Sequence, residues 1–251
     1  MKSTPARQPL AHYTGITLSP AVSIIVPTLN ERENIDRQAE RLCELPACEI
    51  IFCDGGSSDG TAEWLRVHAR QYSSMRLLHS PCGRARQMNA AAACARGDWL
   101  LFLHADTILP PASFRAFLYA TQNDAGMQSG AFSFRIDHSR HIYRLLEFYV
   151  GVRCRLLKLP FGDQAIFVRK SLFEKLGGYR DDFPLMEDLE FVQRLKKHTG
   201  FRILTAPVFT SARRYENDGY FKRACGNAYL QFLYQRGVHP QKLAKRYWNF
   251  D

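Results

Sequence analysis

The chain has 251 residues, of which 46% are hydrophobic and 23% charged, proportions that exclude wholesale disorder and leave room for one large α/β domain or two small ones. The net charge of +10 is uneven: residues 1–134 carry twelve basic and twelve acidic side chains, so the whole excess lies in the second half. That asymmetry argues against a nucleic-acid binder with a uniform basic coat, and no apolar run approaches the roughly 20 residues of a membrane span.

Residues 1–20 lack the apolar stretch of a secretory signal and read as a flexible N-terminus. Val22–Pro27 is a short β-branched run and predicts a buried strand. Asn30 predicts a helix cap, with Glu33 in the capping-box position and the helix running to about Leu45. Glu49–Asp54 predicts a second strand. It breaks on Gly55-Gly56-Ser57-Ser58-Asp59-Gly60, and Thr61–Leu65 opens a second helix. Met75–His79 predicts a third strand, Gly83–Arg96 an alanine-rich helix closed by Gly97, and Asp98–Leu103 a fourth strand. Later segments predict strands at Ser129–Ile136, Gly162–Arg169 and Phe201–Phe209. Helices are expected at His141–Leu159, Ser171–Leu176, Glu187–His198 and Gly219–Arg236.

Strand–helix alternation with short loops implies an α/β fold with a mostly parallel sheet and helices on both faces. Such sheets bind ligands beyond the carboxyl ends of their strands. The polar clusters Thr28–Glu31, Asp54–Asp59 and His104–Asp106 each follow a strand and should converge on one edge.

Asp54–Thr61 places two carboxylates and several hydroxyls on a Gly-rich turn, where Asp54 could bond a nucleobase or ribose. Asp59 suits a helix N-cap equally well. Asp106 at a strand end suits a hard divalent cation on phosphate oxygens, or a simple turn before Pro110. The imidazole of His104 would tolerate manganese better than magnesium. Glu187 and Asp188 open a helix, as a general base or as dipole-favoured first-turn acids. Arg84 and Arg86 stand beside free N–H groups at a helix start and suit an anion or a solvated basic face. Seven cysteines, an odd number without a C-x-x-C pair, read as reduced thiols of a cytoplasmic protein.

In chain order, Val22–Glu31, Asp54–Thr61, Gly97-Asp98, His104–Asp106, Gly162–Gln164 and Glu187-Asp188 resemble glycosyltransferase family 2, which has the GT-A fold. The finer pattern at Gly83–Asn89, Phe102–Asp106 and Gly162–Phe167 is similar to a bacterial subgroup named for its association with radical-SAM and selenium-related genes. The resemblance implies a single GT-A domain over residues 21–215 and a C-terminal helical extension over 216–251. It implies that Pro27, Thr28, Asn30 and Glu31 line a nucleotide pocket with Gly55, Ser57 and Asp59. Asp54 would bind the base, Asp98 would sit beneath the ribose and diphosphate, and Asp106 would hold the metal with His104 beside it. Gln164 would lie near the donor sugar or acceptor, and Asp188, within the pair with Glu187, would be the catalytic base.

The implied reaction is an inverting, non-processive transfer from a nucleoside-diphosphate sugar, by family habit a UDP-sugar, to a hydroxyl acceptor. A divalent metal, Mn2+ or Mg2+, would assist, and Arg84, Arg213 or Arg214 would stabilise the leaving diphosphate. A non-catalytic nucleotide-sugar-binding module is the alternative from another class. Nucleotidyl transfer ranks below both, since Pro27–Asn30 holds no glycine for a phosphate loop. Residues 141–158 mix aromatics, leucines and arginines and fit either a core helix or a helix on an anionic membrane meeting a lipid-linked acceptor. That second reading makes the enzyme peripheral on the inner face of the membrane. Tyr229, Phe232, Tyr234, Tyr247 and Trp248 could pack internally or join a homo-oligomer.

Overall fold

The structure is a computed structural model that describes residues 21–198 and 200–248. The expectation of a flexible start at residues 1–20 lies outside the described residues. The elements in chain order are β1 (Val22–Thr28), α1 (Arg32–Cys43), β2 (Cys48–Asp54), α2 (Thr61–His68), β3 (Met75–His79), α3 (Arg84–Cys94), β4 (Trp99–Phe102), β5 (Thr107–Ile108), α4 (Pro111–Asn123), β6 (Ser129–Asp137), α5 (Ile142–Leu157), β7 (Ile166–Arg169), α6 (Lys170–Lys175), α7 (Glu187–Leu195), β8 (Phe201–Ser211), α8 (Arg213–Asp218), α9 (Tyr220–Gln235) and α10 (Pro240–Trp248).

Eight strands form one sheet in the order β3-β2-β1-β4-β7-β6-β8-β5. The first four are parallel, as the strand–helix alternation requires. β7 then pairs antiparallel with β4, β6 antiparallel with β7, and β8 parallel with β6. The sheet is thus mixed, with the GT-A arrangement of a parallel half and a second, mixed half. Alternation along β1 shows how each face is filled. Ile24 and Val26 join Ile35, Phe52 and Phe117 on one side, while Ile25 joins Ile51, Met88 and Phe191 on the other.

Aromatic clusters clamp the middle of the sheet from both faces. Phe117 lies 4.8 Å from Phe167 and 5.8 Å from Trp99, ring centre to ring centre. On the opposite face Phe102 lies 5.3 Å from Phe173 and 5.0 Å from Tyr179, and Tyr179 lies 4.5 Å from Phe191 of α7. Such pairs add about 0.5–1.5 kcal/mol each beyond their buried area. They fix α7 against β4, and so fix the two elements whose ends carry Asp188 and Asp106.

Several local expectations change. Asn30 is not the cap of α1: it has a left-handed φ of 54°, and Glu31 stands at the cap position without a side-chain capping bond. The expected strand at Gly162–Arg169 begins only at Ile166, because Gly162–Gln164 forms a 3-10 turn. Gly97 does not end α3 by a left-handed turn; it permits a close approach. A Cβ there would stand 2.6 Å from the Ser23 amide nitrogen and 2.7 Å from the Val22 carbonyl carbon. α8 runs across the expected boundary at residue 215, and the C-terminal extension continues through α9 and α10. Gly97→Ala should therefore destabilise the fold by about 1–3 kcal/mol, read as a lowered urea midpoint at unchanged slope.

Candidate active site

The carboxyl ends of β1 and β2 are tied into one hydrogen-bonded knot. Thr28 and Asp54 are partners in register. Asp54 is buried, and its Oδ2 accepts from the Gly56 and Ser57 amides at 2.9 and 3.0 Å. The Ser57 hydroxyl also donates to Asp54, and the Asn30 amide donates to that hydroxyl at 2.9 Å. Asn30 Oδ1 accepts from the Ser58 amide at 2.9 Å. Asp59 joins two helices, accepting from the Thr61 amide at 3.0 Å and the Arg32 amide at 2.9 Å. Burial works against ionisation there, yet the bonds from Thr61 and the Arg32 amide hold the Asp59 carboxyl below its usual range. Asp59 is not the expected cap, since Gly60 holds the cap position of α2; from one residue earlier it bridges the first turns of α1 and α2. Gln87 completes the knot: its Nε2 donates to the Thr28 and Cys53 carbonyls, at 2.7 Å each. A Cβ on Gly55 would meet the Gln87 side chain at 3.0 Å. Gln87 lies within Gly83–Asn89, and nothing in the sequence marks it as the tie between two strand ends.

Beside the knot lies a cavity of about 200 Å³, and it gathers the remaining polar residues. The loop between β4 and β5 delivers His104 and Asp106, the 3-10 turn delivers Asp163, and the N-terminus of α7 delivers Glu187 and Asp188. Arg84 enters from α3 and Arg214 from α8. Gly162 is the contact point between the strand end and the helix start. Its amide donates to Asp188 Oδ2 at 2.7 Å, and the Leu189 amide donates to Asp188 Oδ1 at 2.7 Å. A Cβ on Gly162 would stand 2.7 Å from His104 Nε2 and 3.2 Å from Asp188 Oδ2. Only a glycine lets the imidazole and the carboxylate approach across that backbone.

Three arginines at or near the site face carboxylates. Arg84 Nη1 lies 3.2 Å from Glu187 Oε1, Arg214 Nη2 lies 3.9 Å from Asp106 Oδ2, and Arg213 Nη2 lies 3.5 Å from Glu31 Oε2. Burial pushes Glu187 up to about 7 against the pull of Arg84. Burial likewise pushes Asp163 up to about 7. Glu31 is raised by burial, with a smaller push from Asp106. Burial, helped by the nearby Arg84 charge, depresses His104 to about 4, so its ring is neutral at pH 7 and available as a ligand. Among the described residues no three His, Cys, Asp or Glu side chains converge as a metal cage. The donor set of Asp106 and a neutral His104 instead fits a hard cation that takes its other ligands from a diphosphate and water.

Two expected site residues lie elsewhere. Asp98 is exposed and precedes β4, whose Trp99 pairs with Val22 at the amino end of β1. It therefore sits at the opposite sheet edge from Thr28, Asp54 and Asp106, because β4 runs from it towards the site. Gln164 is buried away from the cavity. Its Nε2 donates to the Phe132 carbonyl at 3.0 Å, and its Oε1 accepts from Cys154 Sγ and Arg153. Its neighbour Asp163 takes the place at the cavity, together with Thr210 and Tyr215. The alternation of neighbouring side chains was the signal for Asp163, but the 3-10 turn hides which of the two faces in. The C-terminal helices belong to this site: Ala224, Asn227, Ala228 and Leu230 of α9 and Tyr247 of α10 wall the cavity. Tyr234 packs on Phe183, and Arg223 lies over the Tyr247 ring, so those two aromatics are internal. Tyr229 and Phe232 stay half exposed, and the Trp248 side chain lies outside the described residues.

Asp163 provides a test by pH. Its folded value of about 7 is above the ordinary 3.8, so its contribution to stability is present below about 4 and is lost as pH rises through 7. Asp163→Asn should therefore raise the melting temperature relative to the native chain more at pH 8 than at pH 5. Equal shifts at both pH values would refute the raised carboxyl.

The family described as Glycosyl transferase family 2 matches residues 23–177. A PGL/p-HBAD biosynthesis glycosyltransferase of Mycobacterium bovis is 30% identical over 183 residues, covering 69% of this chain and 68% of the relative. The mannosyltransferase PcManGT from Pyrobaculum calidifontis, solved in complex with GDP-Man and Mn2+, superposes with a TM-score of 0.63 at 19% identity, over 90% of this chain and 67% of that one. TarS of S. aureus (residues 1–349), solved with UDP-GlcNAc, superposes with a TM-score of 0.60 at 16% identity, over 76% of this chain and 58% of that one. The two superpositions bear on the fold, and the matched sequence reaches from the first strand past the 3-10 turn at Gly162. The chain is a GT-A-fold enzyme that belongs to glycosyltransferase family 2.

Proposed function

We propose that the protein transfers a single sugar from a nucleoside-diphosphate sugar to a hydroxyl acceptor with inversion, assisted by a divalent cation. The observation that carries this reading is the meeting of Asp106, Asp188, Arg84 and Arg214 around one cavity at the carboxyl edge of the sheet. The knot of Pro27, Thr28, Asn30, Glu31, Asp54, Gly55 and Ser57 would hold the nucleotide. Asp54 would use oxygen lone pairs left over from its turn for the base, with uridine the donor nucleotide. The relatives' complexes with GDP-Man and UDP-GlcNAc support a nucleotide-sugar donor of this class. Asp106 with His104 would hold Mn2+ or Mg2+, which when bound neutralises charge on the diphosphate.

In this reading Asp188 takes the proton from the acceptor hydroxyl as that oxygen attacks the anomeric carbon. The amides of Gly162 and Leu189 keep its carboxylate aimed, so little reorganisation accompanies the transfer. Arg84 and Arg214 would turn from Glu187 and Asp106 towards the departing diphosphate and stabilise its charge. The unpaired state of all seven cysteines supports a cytoplasmic setting. The subgroup likeness at Gly83–Asn89 and Gly162–Phe167 adds no acceptor to this account.

Asp188→Asn should lower kcat on the order of 10²–10⁴-fold while preserving the donor-induced rise in melting temperature with Mn2+ present. Wild-type turnover by this variant would sink the base assignment. Gly162→Ala should also lose activity, on the order of 10²-fold, because the added methyl parts His104 from Asp188. An unaltered kcat in a folded Gly162→Ala protein would show that their approach is dispensable.

A further inference from the structure

Helix α5 packs with one face and exposes an apolar one. Tyr143, Glu147, Val150 and Cys154 are buried. Opposite them, Leu145, Phe148 and Leu156 are 67%, 70% and 76% exposed, with Tyr149 half exposed and Val152 more than a third exposed. These five positions follow the spacing of a single helical stripe, so they point the same way. A soluble helix normally turns charged or polar residues outward, and a stripe of this kind calls for a partner. No helix among the described residues is long and apolar enough to cross a membrane.

The charge around the stripe says what the partner is. Arg140 precedes the helix, Arg155 lies along its flank and Lys158 follows its end, and all three are exposed. Residues 135–158 hold six basic and two acidic side chains. Of the two acids, Glu147 is buried and paired with Arg135 and Arg144, which leaves Asp137 as the one exposed acid of the segment. A second copy docked on the same stripe about a two-fold axis would set one basic rim against another. An apolar stripe with basic edges instead matches the interface of a bilayer with anionic headgroups.

The stripe also adjoins the cavity. Leu146, Tyr149, Val150 and Arg153 line it from the same helix, and Tyr149 belongs to both surfaces. Across the cavity α9 is fastened to the start of α5 by the Tyr220 hydroxyl, which donates to the Ile142 carbonyl at 3.3 Å.

We propose that α5 lies on an anionic phospholipid surface, with Leu145, Phe148, Val152 and Leu156 in the headgroup–acyl boundary and the cavity mouth beside Tyr149 held at the bilayer. The proposal concerns binding and does not depend on the reaction assigned to the cavity. Its test is co-sedimentation of the full chain with vesicles of phosphatidylcholine alone or with one third phosphatidylglycerol, at low and high salt. Binding is expected to the anionic vesicles, weakened by salt. It should fall on the order of 10-fold or more in a Leu145→Gln, Phe148→Gln, Leu156→Gln triple variant that melts like the native chain. Absence of binding to anionic vesicles at low salt, or equal binding by the folded triple variant, would overturn it. A dimer in light scattering that the triple variant abolishes, without vesicle binding, would assign the stripe to a second copy instead.

Discussion

The antiparallel pairing of β4 with β7 is the constraint on which the site depends. Trp99 pairs with Arg169 and Phe102 with Ile166, and this register carries the loop after β4 alongside the turn before β7. His104 thereby meets Gly162, and Gly162 in turn meets Asp188. Without that seam the parallel half would end in a polar strand edge, with nothing facing it. The aromatic clusters on the two faces hold the seam from slipping, since a one-residue shift would turn Phe102 and Phe167 to the wrong sides.

The parallel half was legible in the sequence because β1, β2 and β4 are short, buried apolar runs, and each leads into a polar cluster. That pattern identifies both the sheet and the edge where Thr28, Asp54 and Asp106 converge. Site residues were harder where a chain reversal decides which way a side chain points. Asp98 flanks β4, and only the direction of the strand tells that it lies at the far edge. Gln164 and Asp163 are adjacent, and the 3-10 turn buries the amide while exposing the acid to the cavity. Asn30 has the residue type of a helix cap, yet Ser57 and Ser58 claim its hydrogen bonds in a turn with positive φ. For Asn30 a local preference was overruled by partners distant in sequence; for Asp98 and Gln164 strand direction and a local turn decided.

The charge asymmetry acquires a physical meaning from the ion pairs. The second half supplies the basic excess, but three arginines at or near the site stand opposite carboxylates: Arg84 at Glu187, Arg213 at Glu31 and Arg214 at Asp106. Each of these charges therefore has an acidic neighbour before any ligand arrives. The surplus that remains for distant partners lies on exposed residues such as Arg140, Arg155 and Lys158. The basic character thus belongs more to the outer surface of the second half than to the cavity.

The turn at Gly162 also bears on how the chain acquires its chemistry. Asp106 comes from the parallel half, Asp188 from beyond the seam, and Tyr247 closes the wall from the last helix. Contacts so far apart in sequence form late, after loop-closure entropy has been overcome. The polar edge of the parallel half can therefore form from contacts within the first part of the chain, before the cavity beside it is enclosed. The cavity is walled only once α9 and α10 have docked, so its shape reports on packing between segments far apart in the chain.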